Sequence, residues 1–246
     1  MSDLSYEQWT ERLGRFFFDS AHDGEEILFA VDDAALAEAS GFEETEAVAS
    51  LALAVRSVIG SAWAVERVSS RVRRWKHDRG GDHPAIPFLA LTVLAAFRMG
   101  EHARFAAHNY YVPLRRLIDH DDRDEGPPGS FTDHIEWLWR DLSAWANVEL
   151  NGRRGSIEVR DPGHHRYVGL AVQHALFKMA DLRHLDAFFR RIGLDPGDEV
   201  PAAQLRRALA VWTADRPEPW AQRLHRLSTD PDLAAHCEIV LEREAR

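Results

Sequence analysis

Pro87-Phe88-Leu89-Ala90-Leu91-Thr92-Val93-Leu94-Ala95-Ala96-Phe97-Arg98-Met99-Gly100 is the stretch whose reading decides the fold. Pro87 suits the first turn of a helix, where its missing N–H costs nothing and its fixed φ is already helical, and Gly100 supplies a stop. Between them the residues predict a strongly apolar helix over 88–99. A membrane span needs roughly 18 apolar residues, so this helix is too short to cross a bilayer and belongs to a globular helical protein.

Upstream, Val65, Val68, Val72 and Trp75 advance by three and four and form an apolar seam. Arg67, Arg71 and Arg74 line another side of the same helix. A helix over about 43–58 lies between Gly41 and Gly60, and a shorter one starts at Asp32-Asp33. The first helix opens with a capping box, Ser5 and Gln8, and buries Trp9, Leu13, Phe16 and Phe17. Ile27 to Val31 is apolar and bounded by acids; it reads equally as an isolated strand or a buried helical turn.

Downstream, Asn109-Tyr110-Tyr111 leads to Pro113, which is expected to open a helix through Leu114, Leu117 and Ile118. The charged stretch from His120 to Gly129, with Pro127-Pro128-Gly129, reads as an internal linker. Ile135, Leu138, Trp139, Leu142 and Trp145 form a helical stripe whose tryptophans anchor a core or an interface. Val148-Glu149-Leu150 and Ser156-Ile157-Glu158-Val159 predict a small β-hairpin around Asn151-Gly152. Helices follow over 168–179 and through Leu182, Leu185, Phe188, Phe189 and Ile192 to a stop at Gly193-Leu194; others start after Pro201, Pro219 and Asp230-Pro231. The expected fold is all-α, a multi-helix bundle with one small hairpin near 148–159. It reads as a single domain over 1–246, or as subdomains 1–119 and 130–246 joined by the 120–129 linker.

With 45% hydrophobic and 28% charged residues among 246, the chain has a globular balance and can bury a core without disulfides or metal. Its start lacks the basic-then-apolar pattern of a signal peptide, so a cytoplasmic, non-membrane protein is expected. The lone Cys237 sits in a helical apolar pattern and reads as a buried structural thiol. Net charge is -10 but uneven: positions 19–48 hold ten acids and no Lys or Arg, whereas Glu66 to Arg79 hold six basic residues against two acids, a local +4. Lysine occurs only at 76 and 178, and this bias toward arginine and alanine suggests a GC-rich bacterial genome.

No catalytic motif stands out. None of the thirteen histidines makes an i, i+4 pair with an intervening Glu, and His102 and His108 would point apart on a helix. His120-Asp121-Asp122 reads as a solvated linker before a metal cluster, and His164-His165 as a polar loop. Glu149, Glu158 and Asp161 lack the nearby lysine of a restriction-type nuclease trio. There is no Gly-x-x-x-x-Gly-Lys phosphate loop and no Gly-x-Ser-x-Gly turn. No enzyme activity, cofactor or metal is expected. Leu182 to Trp212, with Arg206 and Arg207, superficially resembles a helix-turn-helix, but the acidic connector over 193–200 is too long and favours a plain helical hairpin.

Three further stretches belong together: Pro87 to Ala96, Asn109 to Leu117 (Asn-Tyr-Tyr-Val-Pro-Leu-Arg-Arg-Leu), and Phe188 to Leu194 (Phe-Phe-Arg-Arg-Ile-Gly-Leu). They resemble a helical segment in uncharacterised actinobacterial proteins associated with anti-phage defence loci, sometimes the front part of a much longer chain. The resemblance implies a short version of such a protein, with any effector activity in a partner; it carries no catalytic residue over. The resulting expectation is a non-catalytic helical adaptor or sensor subunit of a bacterial defence complex, docking on a larger ATPase, helicase or nuclease. Its binding residues would be Arg67, Arg71, Arg74, Lys76, Arg206 and Arg207, with Trp139, Trp145, Tyr110 and Tyr111 as interface aromatics. Two alternatives stay open: a nucleic-acid-binding subunit using the same arginines on phosphates, and a metal-dependent hydrolase with a site over His120, Asp121, His164 and His165.

Overall fold

The computed structural model describes residues 3–18, 27, 29–78, 80–99, 107–119, 127–149, 157, 170–171, 174–175, 177–194 and 200–245. Among them are eleven α-helices and no strand. The helices are α1 (Tyr6–Phe17), α2 (Asp33–Ser40), α3 (Glu44–Ile59), α4 (Glu66–Asp78), α5 (Ile86–Phe97), α6 (Ala107–Asp119), α7 (Phe131–Ala144), α8 (Met179–Ile192), α9 (Ala202–Thr213), α10 (Pro219–Thr229) and α11 (Ala234–Glu244). A π-helical turn, Trp145–Glu149, extends α7, and a 3₁₀ turn, Pro231–Leu233, precedes α11. Among the described residues no helix is long and apolar enough to cross a membrane. Residues up to Ala175 form one compact unit and those from Phe177 onward a second.

All twelve residues of α5 are buried, so it has no face for water. A helix apolar on every side must be enclosed by others, and α1, α3, α6 and α7 pack around it. Each large side chain it buries contributes on the order of 1.5–3 kcal/mol. Its one hydroxyl, on Thr92, donates to the Leu89 carbonyl at 2.7 Å, so the interior carries no unmet donor there.

The surrounding helices begin and end where local chemistry directs. In α1 the Gln8 N–H donates to Ser5 Oγ at 3.2 Å while the Ser5 N–H donates to Gln8 Oε1 at 2.8 Å, completing the capping box. Asp32 caps α2 by accepting from the Ala35 N–H at 2.8 Å, and Gly41, at φ 72°, ends it in the left-handed region. On the core side Trp9, fully buried, donates its indole N–H to Ser50 Oγ on α3 at 3.2 Å.

In the second unit α9 packs on α10 and α11, and α8 packs on α9. Gly193, at φ 70°, ends α8 with the Leu194 N–H donating to the Phe189 carbonyl at 3.0 Å. The side chain of Asp181 is almost fully buried; it accepts from the Lys178 backbone N–H at 2.8 Å and from Arg223 Nε at 2.7 Å. Burial, together with the nearby Arg223 charge, lowers the Lys178 pKa against the pull of Asp181. Cys237 is a free, buried thiol, and burial pushes its pKa up to about 12.

Several expectations change. Val148 and Glu149 belong to the π turn rather than to a strand, because the helix of Ile135 and Leu138 continues through them; the remainder of the expected hairpin, Ile157 apart, lies outside the described residues. The division into units falls after Ala175, not over 120–129: α7, beyond that linker, packs on α4 and α5 and so belongs with them. Pro113 sits inside α6 instead of opening it. Phe29 and Val31 are buried in a segment that is neither helix nor strand.

The link between α3 and α4 stores strain. Trp63, nearly fully buried, adopts φ 53°, a region hostile to a bulky side chain. Its carbonyl accepts from the Ser130 N–H at 3.4 Å, and Gly129, at φ 49°, passes so close that a Cβ there would stand 2.5 Å from that carbonyl oxygen. Gly129→Ala is therefore expected to lose about 2–3 kcal/mol in urea unfolding, from backbone strain plus the clash. Gly41→Ala, with the same sign of φ and open space around it, is expected to lose only about 1–2 kcal/mol. Equal losses for the two would show that the approach to Trp63 carries no energy.

Candidate functional site

α4 carries the basic stripe. Glu66 lies in its first turn and Lys76 and His77 in its last, charges that complement the helix dipole. Val68 and Val72 are fully buried, and Ser69 Oγ meets His134 Nδ1 on α7 at 3.0 Å, which fixes the rotation of the helix. The seam and the arginines therefore face apart, as their spacing requires.

The arginines are not equivalent. Arg71 pairs with Glu7 on α1, and its guanidinium stands 5.2 Å from the Tyr6 ring centroid. The hydrogen bond from Arg71 lowers the Glu7 pKa. Arg67 reaches back toward the Val58 carbonyl at 3.4 Å. Arg73 and Lys76 lie over the Trp137 ring of α7, at 5.5 and 5.6 Å from its centroid. Arg74 is exposed and pairs with no carboxylate among the described residues.

Lys76 also pairs with Asp141 on α7, whose side chain is 7% exposed, and Asp141 Oδ2 meets His83 Nε2 at 3.1 Å. The Ala85 N–H donates to His83 Nδ1 at 3.2 Å, which places the ring's own N–H on Nε2, toward the carboxylate. An aspartate orienting a histidine is also the arrangement behind a general base. Here the histidine is fully buried, under Trp75 and Trp145 at 5.1 and 5.6 Å, with both nitrogens engaged, so it acts as a tie between α7 and the loop before α5. Burial works to raise the Asp141 pKa, but hydrogen bonds from His83 and Lys76 prevail and hold it below the ordinary value.

Between α1 and α4 opens a cleft of about 620 Å³, walled by Glu7 and Glu11 on one side and Arg71, Arg74 and Trp75 on the other, with the loop Gly80-Gly81-Asp82 at one end. Its aromatic groups are held in place: the Tyr6 hydroxyl donates to the Pro84 carbonyl at 2.7 Å and Trp75 Nε1 to the Gly80 carbonyl at 2.9 Å. Burial raises the Tyr6 phenol well above its usual value despite the Arg71 charge. Gly14 lets the loop approach, since a Cβ on it would sit 2.3 Å from Asp82 Cγ. Three carboxylates and two guanidiniums line this cleft, giving it both signs.

Other expected site residues lie elsewhere. Tyr110, Tyr111, Trp139 and Trp145, expected as interface aromatics, are at most 5% exposed and form part of the first unit's core, where Trp139 stacks on His174 at 4.7 Å. Arg206 in the second unit turns inward, to Glu238 at 2.7 Å and the Ser228 carbonyl at 2.9 Å, tying α9 to α10 and α11. Arg207 is exposed and bonds the Ala203 carbonyl of its own helix at 3.1 Å. His120, Asp121, His164 and His165 lie outside the described residues; among those described, no three His, Cys, Asp or Glu side chains gather as metal ligands. Sequence spacing missed Trp137 as the platform for Arg73 and Lys76, because the partners sit 64 and 61 positions apart (137 − 73, 137 − 76).

The buried Asp141 carries a pH signature. A carboxylate held below the ordinary value of about 3.9 contributes stability that is complete above that value and lost as pH falls through its lower folded value. Asp141→Ala is expected to cost about 2–3 kcal/mol near pH 7, less than a fully buried pair because Lys76 reaches water. In urea titrations the gap between wild type and Asp141→Asn should be full at about pH 6 and shrink below about pH 4; a gap that widens in acid would contradict the assignment. No family model matches the chain, and neither does any curated protein or solved structure.

Proposed function

We propose that this chain is a non-catalytic helical adaptor that docks on a protein partner through the outer face of α4 and the adjoining cleft. The observation that carries the reading is the mixed charge of that cleft. A groove that tracks phosphates presents an unbroken basic wall, whereas here Glu7, Glu11 and Asp82 line the same cleft as Arg71 and Arg74. Such a surface suits a protein segment bearing both signs, and complementary charge of this kind selects one partner over others. Arg73, Arg74 and Trp137 supply the residue types that dominate protein interfaces. The resemblance of Pro87 to Ala96, Asn109 to Leu117 and Phe188 to Leu194 to proteins of anti-phage defence loci supports a larger ATPase, helicase or nuclease of such a system as the partner.

Arg71 is a poor probe of this reading because its reversal would set a carboxylate against Glu7. Arg73→Glu with Arg74→Glu leaves the α1–α4 tie intact. The double variant should melt within about 3 °C of wild type, as exposed charges add little stability. In co-purification with the products of adjacent genes, it should release a large ATPase, helicase or nuclease that the wild-type chain retains. Retention of that partner by the variant would sink the proposal. Wild-type binding to duplex DNA that weakens steeply with salt and vanishes in the variant would replace it with the nucleic-acid reading.

A further inference from the structure

The second unit holds an aromatic and cationic cluster that none of the readings above uses. Trp212, at the end of α9, and Trp220, at the start of α10, lie with centroids 5.4 Å apart. The Arg216 guanidinium stands 4.5 Å from the centroid of Trp212 and 5.9 Å from that of Trp220. His184 of α8 stacks flat on Trp220 at 3.9 Å, with 7° between the planes, and Phe188 backs Trp212 at 5.6 Å. Both tryptophans and Arg216 are partly buried but retain some exposure, so the cluster reaches the surface.

The guanidinium is oriented by a hydrogen bond to the end of α9. Arg216 Nε donates to the Trp212 carbonyl at 3.0 Å, a bond that satisfies the last turn of α9 and fixes the plane of the fork. No carboxylate among the described residues pairs with it, although Asp215 and Glu218 flank it and are exposed. Both rings lie to the same side of the guanidinium and cover it from water there, leaving the terminal Nη atoms as the part able to receive a ligand. A planar fork held in this way matches a carboxylate bidentately, and its rotamer entropy is already lost before binding. Trp and Arg in a packed cluster are also the residues that concentrate binding energy at protein interfaces.

We propose that Arg216, held by Trp212 and Trp220, is a docking point for a carboxylate of an acidic segment in a protein partner. Asp215 and Glu218 decide between ligand classes. A carboxylate on a flexible side chain can turn to the Nη edge while its neighbours in the segment turn away from both acids, whereas a nucleic-acid strand holds its phosphates in the backbone and carries adjacent ones past both. The inference stands on the second unit alone and does not depend on the α4 face.

Fluorescence anisotropy of a labelled (Glu-Gly)₆ peptide with the full chain tests it, with (Gln-Gly)₆ and a twelve-nucleotide oligothymidylate as comparison probes. The glutamate peptide should bind saturably and the glutamine peptide should not. Arg216→Ala should weaken binding at least tenfold, and Arg216→Lys, which keeps the charge near the end of α9 but loses the fork, at least threefold. Arg73→Glu with Arg74→Glu should leave it unchanged, which separates this site from the α4 face. If Arg216→Ala does not fold, Arg216→Lys and the perturbation of the wild-type Arg216 Nε resonance on adding the peptide give the answer. Absence of glutamate-peptide binding, binding that survives both substitutions at Arg216, or tighter Arg216-dependent binding of the oligothymidylate would each overturn the proposal.

Discussion

α5 has no face that tolerates water, and the architecture of the first unit follows from that constraint. A helix with one apolar stripe can lie on a surface, but one buried at all twelve positions must be packed on every side. Four helices from before and after it in the chain perform the enclosure. The contacts are consequently long-range: α1 is recruited from the start of the chain and α7 from beyond the 120–129 stretch, so the unit has to close as a whole. This is also why the chain does not divide at Pro127-Pro128-Gly129, where its composition invites a boundary.

Enclosure forces polar groups inward, and the chain satisfies them with specific partners. Asp141 could not remain charged in that interior alone, and His83 and Lys76 make its ionised form the favoured one. Asp181 meets the same problem in the second unit through the Lys178 backbone and Arg223. These ties hold loops and helix ends where apolar contact alone would leave them free to slide. Trp63 shows the cost of the geometry: the chain passes from α3 to α4 through a left-handed tryptophan, and Gly129 and Ser130 lie against its carbonyl.

Arginine serves two purposes on this scaffold, and burial separates them. Arg71, Arg206 and Arg223 are turned toward carboxylates of neighbouring helices and hold elements together. Arg73 and Arg216 lie on tryptophan faces. An indole lets a guanidinium rest on an apolar surface while its donors stay in water.

Helix existence and type were legible in the sequence because apolar period and capping are local properties. Ser5 with Gln8, Asp32, Gly41 and Gly193 mark their termini by chemistry that reaches at most a few residues, and Val65, Val68 and Val72 place their helix face without reference to any neighbour. The roles of side chains were not legible, because a role depends on what another segment brings. Arg67, Arg71 and Arg74 look alike by spacing, yet Arg71 meets Glu7, 64 positions away, while Arg74 meets no partner among the described residues. Tyr110, Tyr111, Trp139 and Trp145 have the composition of an interface, and only the packing of α5, α6 and α7 shows them covered. The Trp212, Arg216 and Trp220 cluster lies between these cases: its steps of four are written in the sequence, but Pro217 breaks the helix that would have aligned them, and the fold of α9 against α10 is what brings both rings to the guanidinium. Local chemistry thus determined where the helices run, and long-range burial decided which of their charges remain exposed.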